Sequence, residues 1–136
     1  MGGVQIASLA YRTDLALLRL GGSEITDHGD HLVVRTPANP SYWWGNCLIL
    51  DHAPADARPW VAAFEAEFPA SEHLAIGVDG AHLSGMDLMP FAEAGLTVER
   101  AVAMTATAVH SPPRPHATAL LRRFVGDNDW AARVEL

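Results

Sequence analysis

The 136-residue chain contains no lysine, and all nine of its basic residues are arginine. Sixteen acidic residues oppose them, leaving a net charge of −7 at pH 7. Nucleic-acid affinity comes mostly from cationic contacts to phosphates, and the densest basic cluster is the pair Arg122-Arg123. This balance argues against a nucleic-acid partner. Cysteine is nearly absent too. The single Cys47 cannot form an internal disulfide, which predicts a reducing, cytoplasmic setting. Within an apolar run it is expected to be a buried, inert thiol rather than a reactive one. No window approaches the roughly 18 uninterrupted apolar residues of a membrane-spanning helix. The opening Met1-Gly2-Gly3-Val4-Gln5-Ile6 lacks the Ser or Thr at position 6 of a myristoylation signal. It also lacks a charged segment followed by a long apolar run, so no secretory signal is expected.

What the chain does hold is an aromatic box. Asn39-Pro40-Ser41-Tyr42-Trp43-Trp44-Gly45-Asn46 gathers two of the four tryptophans and one of the two tyrosines. The apolar run Cys47-Leu48-Ile49-Leu50 follows at once. Large aromatics bury much area at little entropic cost, so such a box either plugs a core or walls a cleft. In the cleft case Tyr42, Trp43 and Trp44 wall a substrate or acyl pocket and Asn46 offers a polar handle. In the structural case the box fixes the corner before the next strand, and adjacent strand tryptophans point to opposite faces.

Periodicity sets the rest. Thr13 to Leu20 predicts a short helix capped by Thr13 or Asp14 and stopped by Gly21-Gly22. Glu24-Ile25-Thr26 and Leu32-Val33-Val34-Arg35 flank the turn Asp27-His28-Gly29-Asp30 as a hairpin. Asn46 to Leu50 has the continuous apolar character of a central strand. Asp56 caps a helix from near Ala57, whose stripe of Trp60, Val61, Phe64 and Phe68 belongs to the core. Glu72 to Val78 is a fourth strand ending in the turn at Gly77 and Asp79-Gly80. Ser84 to Ala94 is a helix with Gly95 behind it. Leu96 to Val109 and Ala117 to Val125 are expected as the last strands. Asp127 or Asp129 opens a terminal helix through Val134, short enough to predict either a cut from a longer chain or a helix that docks firmly. The order describes an α/β domain with a mixed sheet.

Several stretches carry a family resemblance. They are Arg12-Thr13-Asp14-Leu15 through Gly21-Gly22-Ser23, Val34-Arg35-Thr36-Pro37, Asn39-Pro40 through Asn46, and Gly77-Val78-Asp79. Together with the element order over about residues 10 to 125, they resemble the N-terminal domain of bacterial tandem proteins of the GNAT family of N-acetyltransferases. The resemblance implies a GNAT-like, mostly antiparallel mixed sheet flanked by helices, spanning residues 1–116. Residues 117–136 are then a last strand or the start of a second GNAT domain, on Arg122-Arg123-Phe124 and Asp127-Asn128-Asp129-Trp130. It further implies acetyl-CoA as cofactor, a small-molecule or peptide amine as acceptor, and a second GNAT domain or a homodimer as partner.

One departure bears on function. GNAT enzymes hold the coenzyme diphosphate on Gln/Arg-x-x-Gly-x-Gly/Ala ahead of the helix that follows the third strand. Here the junction reads Leu50-Asp51-His52-Ala53-Pro54-Ala55-Asp56-Ala57-Arg58-Pro59. It has two carboxylates, two prolines and no glycine, so no cofactor-binding residue is assigned. The domain is expected to be the degenerate half of an acetyltransferase, or a non-catalytic binding or dimerisation module on the same fold.

Catalytic residues stay unassigned as well. Tyr42 is the acid candidate, and Glu72 and Glu99 are base candidates or ordinary exposed residues. His28 and His31 beside Asp27 and Asp30 have metal-ligand chemistry, but hairpin tips are usually just solvated, and no metal is expected. No Gly-x-Ser-x-Gly elbow is present.

Overall fold

Ser8 opens the first helix, five or six residues ahead of the expected Thr13 or Asp14. In the computed structural model, which describes residues 2–80, 83, 85–120 and 122–134, α1 spans Leu9–Leu20, and the Ser8 hydroxyl accepts the Tyr11 N–H at 3.1 Å. The earlier start puts Tyr11 on one stripe with Leu15 and Leu18, and all three pack on the core. The stop is the expected one. Gly22 takes a φ of 91°, which a residue with a Cβ adopts only under strain. Ser23 N–H reaches Leu18 O and Gly22 N–H reaches Arg19 O, the two bonds of a Schellman ending.

The hairpin of β1 (Glu24–Asp27) and β2 (Leu32–Arg35) is antiparallel. β3 (Cys47–Leu50) pairs antiparallel with β2 and parallel with β4 (Ile76–Val78). The sheet order is β1-β2-β3-β4, so the expected mixed α/β architecture is present. Parallel neighbours need a crossover, and α2 (Arg58–Glu67) supplies it. The N-cap of α2 is Ala57 and carries no side-chain cap; Asp56, the expected cap, sits one residue outside it and accepts the Arg58 N–H at 3.0 Å.

All of β3 is buried, and so are Leu32, Val33 and Val34 of β2. Strand side chains alternate faces, so a continuous buried run needs cover on both sides. α1 brings Leu15 to this core and α2 brings Phe64 and Phe68, whose rings sit 4.8 Å apart.

Other expectations fail in instructive ways. β4 begins at Ile76 rather than Glu72, because its ladder starts opposite Leu48 of β3, leaving Glu72 exposed ahead of it. The expected helix from Ser84 divides into a 3-10 turn, Gly85–Leu88, and α3, Met89–Glu93, with Ser84 itself outside the described residues. Pro90 in the first turn of α3 lacks an N–H, which suits a start and not an interior. The expected strands at 96–109 and 117–125 carry no strand among the described residues. A β-branched, alternating segment becomes a strand only where a neighbour completes its ladder.

The chain falls into two compact units, Met1–Met104 and Thr105–Leu136. The second contains the terminal helix α4 (Asp127–Val134), expected from its sequence. Within it Arg122 clamps the Asp129 carboxylate at 2.5 and 2.6 Å, and Phe124 meets Trp130 edge to face at 4.7 Å.

Cys47 is buried as expected, with its thiol donating to the Trp44 carbonyl at 3.3 Å. Burial pushes that thiol from its ordinary 9.0 up to about 12. Burial, with the neighbouring Cys47 and Asp79 charges adding to it, pushes the Tyr11 phenol from 10.0 to about 12. Both folded values lie above the unfolded ones, so the unfolded chain sheds these protons first. The stability they contribute is intact below about pH 9 and drains as pH rises toward 12. The urea midpoint is therefore expected to fall steadily across that window. At neutral pH a thiol reagent is expected to label Cys47 only as fast as the protein opens; prompt labelling of the native chain refutes the buried assignment.

Candidate functional site

The loop from Thr36 to Asn46 is built around one amide. Asn46 is 4 % exposed. Its Oδ1 accepts the Thr36 N–H at 3.0 Å, and its Nδ2 donates to the carbonyls of Asn39 and Tyr42, both at 2.9 Å. Both amide hydrogens are consumed, so Asn46 holds the loop closed and presents no donor to a ligand. That corrects its assignment as a polar handle.

The loop so held faces the last two turns of α1 across an open groove of about 450 Å³. Asp14, Leu17 and Leu18 line one side, and Thr36, Asn39, Tyr42 and Trp44 line the other. Ser23 and Thr36 share a hydroxyl pair at 2.8 Å, and the Thr36 hydroxyl also donates to the Gly45 carbonyl at 2.7 Å.

The aromatic box therefore divides its labour. Residues Trp43–Gly45 form a 3-10 turn, not a strand, so strict face alternation does not govern the two tryptophans. Trp44 still serves as the inner one. Its ring packs 5.6 Å from Tyr11 and touches the position where Gly77 lacks a Cβ, and the residue also lines the groove. Trp43 is 55 % exposed and lies outside the groove lining, 5.5 Å from Trp44. Tyr42, 41 % exposed, is a groove wall. Of the four proposed cleft residues the structure brings two, Tyr42 and Trp44, into one groove.

Asp14 belongs there too, although its sequence position reads only as a helix cap. Leu17 and Leu18 read as helix-stripe residues. Only the docking of α1 against the 36–46 loop shows Leu17 facing a groove. Glu72 and Glu99, the candidate bases, are exposed and absent from the groove lining.

The β3–α2 junction is acidic in fact as well as in sequence. Asp51 pairs with His52 Nδ1 at 2.5 Å and accepts the Gln5 N–H at 3.2 Å. The His52 contact, foremost, holds its carboxyl below the usual 3.8. Arg58 grips Asp56 through both Nε and an Nη nitrogen and lowers it to about 2. Both carboxylates are thus anionic at neutral pH.

The N-terminal segment lies against carboxylates at the ends of three co-directional strands. Val4, Gln5 and then Ala7 with Ser8 donate N–H bonds to Asp27, Asp51 and Asp79, which follow or end β1, β3 and β4. The sequence shows Asp79 only as a turn residue. Folded, it is a buried carboxylate that anchors the entry to α1.

At the hairpin tip His31 pairs with Asp30 at 2.6 Å, stacks on His28 and meets Trp60 edge-on. Among the described residues no group of three or more His, Cys, Asp or Glu is placed to share a metal ion. No helix of the described residues is long and apolar enough to cross a membrane. Set against protein-family models, curated proteins and solved structures, the chain matches none.

Proposed function

We propose that this chain is a GNAT-like domain of an N-acetyltransferase, the degenerate half that does not itself hold acetyl-CoA. In this role it contributes the groove beside α1 to an amine-acceptor cleft and braces a second GNAT domain. The order of hairpin, β3, α2, parallel β4 and α3 supports the resemblance. The observation that carries the degenerate assignment is the β3–α2 junction. A diphosphate needs close backbone N–H groups and positive potential at a helix start. Asp51 supplies negative charge there instead, the Arg58 guanidinium at the helix start is taken up by Asp56, and Pro54 and Pro59 remove donors.

A second reading, a binding or dimerisation module without catalysis, draws on the long exposed tract. Val102 and Met104 in the first unit, and Val109 and Leu120 in the second, are each more than three-quarters exposed, and exposed apolar side chains are the material of interaction surfaces.

A thermal-shift titration with acetyl-CoA tests the assignment. A ligand at 100 times its Kd stabilises by about 2.7 kcal/mol, which moves the midpoint of a domain this size by roughly 10 °C. The expected result at millimolar acetyl-CoA is no shift beyond about 1 °C. A shift of several degrees overturns it. A concentration-dependent dimer in sedimentation, with no acetyl transfer in any assembly, favours the second reading.

A further inference from the structure

Asp14 is the single charged residue in the described lining of the groove. Among the described residues it has no hydrogen-bond or ion-pair partner. Six other aspartates are engaged. Asp27, Asp30, Asp51, Asp56, Asp79 and Asp129 each engage a backbone N–H, an imidazole or a guanidinium. The neutral hydroxyls beside it are committed, since Thr36 donates to the Gly45 carbonyl and pairs with Ser23. The walls include Leu17, Leu18, Tyr42 and Trp44.

A carboxylate without a cation, set among aromatic rings, is complementary to one kind of ligand. Ring faces attract positive charge, and the net charge of −7 adds a field of the same sign. A neutral apolar molecule would desolvate Asp14 without giving it a partner, and an anion would be repelled.

We propose that the groove between α1 and the 36–46 loop binds an organic monocation, an ammonium group on an apolar body, with Asp14 against the charge and Tyr42 and Trp44 against the body. The proposal rests on the groove being the ligand-facing side of the domain. Acetyl transfer can fail while it stands, because a quaternary ammonium has no N–H to acylate yet satisfies the same contacts.

The test is titration of the whole chain with benzyltrimethylammonium, followed by tryptophan fluorescence and calorimetry. Saturable binding with a Kd on the order of 1 mM or tighter is expected. Benzyl alcohol and phenylacetate are expected to bind at least about tenfold more weakly, and Asp14→Asn to weaken the cation about tenfold. Tyr42→Leu keeps the apolar wall but removes the ring, and is expected to weaken binding severalfold. Asp14 makes no hydrogen bond or ion pair among the described residues, so Asp14→Asn is expected to unfold at nearly the same urea concentration as the parent, and Glu24→Gln on β1 serves as the charge-matched control. Equal affinity for cation and phenylacetate overturns the proposal. So does an unchanged Kd in the folded Asp14→Asn protein, or an equal loss in Glu24→Gln.

Discussion

Replacing Asp79 by alanine will lower the unfolding free energy by about 2–4 kcal/mol. The carboxylate is 1 % exposed and accepts the N–H groups of Ala7 at 2.5 Å and Ser8 at 3.2 Å. Hydrogen bonds to a charged acceptor contribute about 1.5–3 kcal/mol each, and a part-buried donor left unpaired costs its full desolvation. These donors sit at the entry to α1, where an anion also meets the positive end of the helix dipole. The loss should therefore spread beyond the contact. Amide exchange is expected to accelerate through residues 4–12, and Ser8 should cease to cap Tyr11. Asp79→Asn keeps one acceptor oxygen and is expected to lose about half as much. Chemical denaturation of the three proteins reads both numbers. If Asp79→Ala costs under about 1 kcal/mol, the anchor is not one.

Asn46→Ala is the second large effect, about 2–4 kcal/mol, because one truncation breaks three buried or part-buried hydrogen bonds. It also frees the loop that carries Tyr42 and Trp44, so the groove should lose its shape along with the stability. Asn46→Asp separates packing from polarity. The variant keeps the acceptor for Thr36 but turns a carboxylate oxygen toward the carbonyls of Asn39 and Tyr42. Repulsion and burial raise the folded pKa of that new carboxyl above its unfolded value of about 3.9. A raised folded value means stability that is present below the unfolded pKa and lost as pH rises through the folded one. Asn46→Asp should therefore approach the parent in acid and fall behind it at neutral pH, a trend that Asn46→Ala cannot show. Parallel pH profiles for the two variants would rule out the amide as the clasp of this loop.

Both residues mark where reading the sequence stops short. Asn46 and Asp79 look like loop polars, and nothing in their neighbours reveals that one closes a ten-residue turn or that the other holds a segment 71 residues away. The Tyr42-Trp43-Trp44 box is plain in the sequence, but which ring faces inward depends on the 3-10 turn, which no local periodicity signals. Asp14 hides for a different reason. A carboxylate near a helix start reads as a cap, and only the placement of Ser8 before it shows that its side chain is left for another use. The failed strands at 96–109 and 117–125 show the same limit from the other side, since alternation states a capacity to pair and supplies no partner.

Short-range chemistry, then, was settled by the residues themselves: the hairpin around Asp27–Asp30, the buried run of Cys47–Leu50, the stripe of α2, the glycine stop after α1 and the anionic β3–α2 junction. Each depends on neighbours within a few positions, whose spacing fixes which face is apolar and where a backbone can turn. Tertiary packing alone decided what shares a groove, which polar groups are spent on the fold and that the Asp14 carboxylate faces the groove unspent, because burial and pairing arise between segments whose meeting no local pattern encodes.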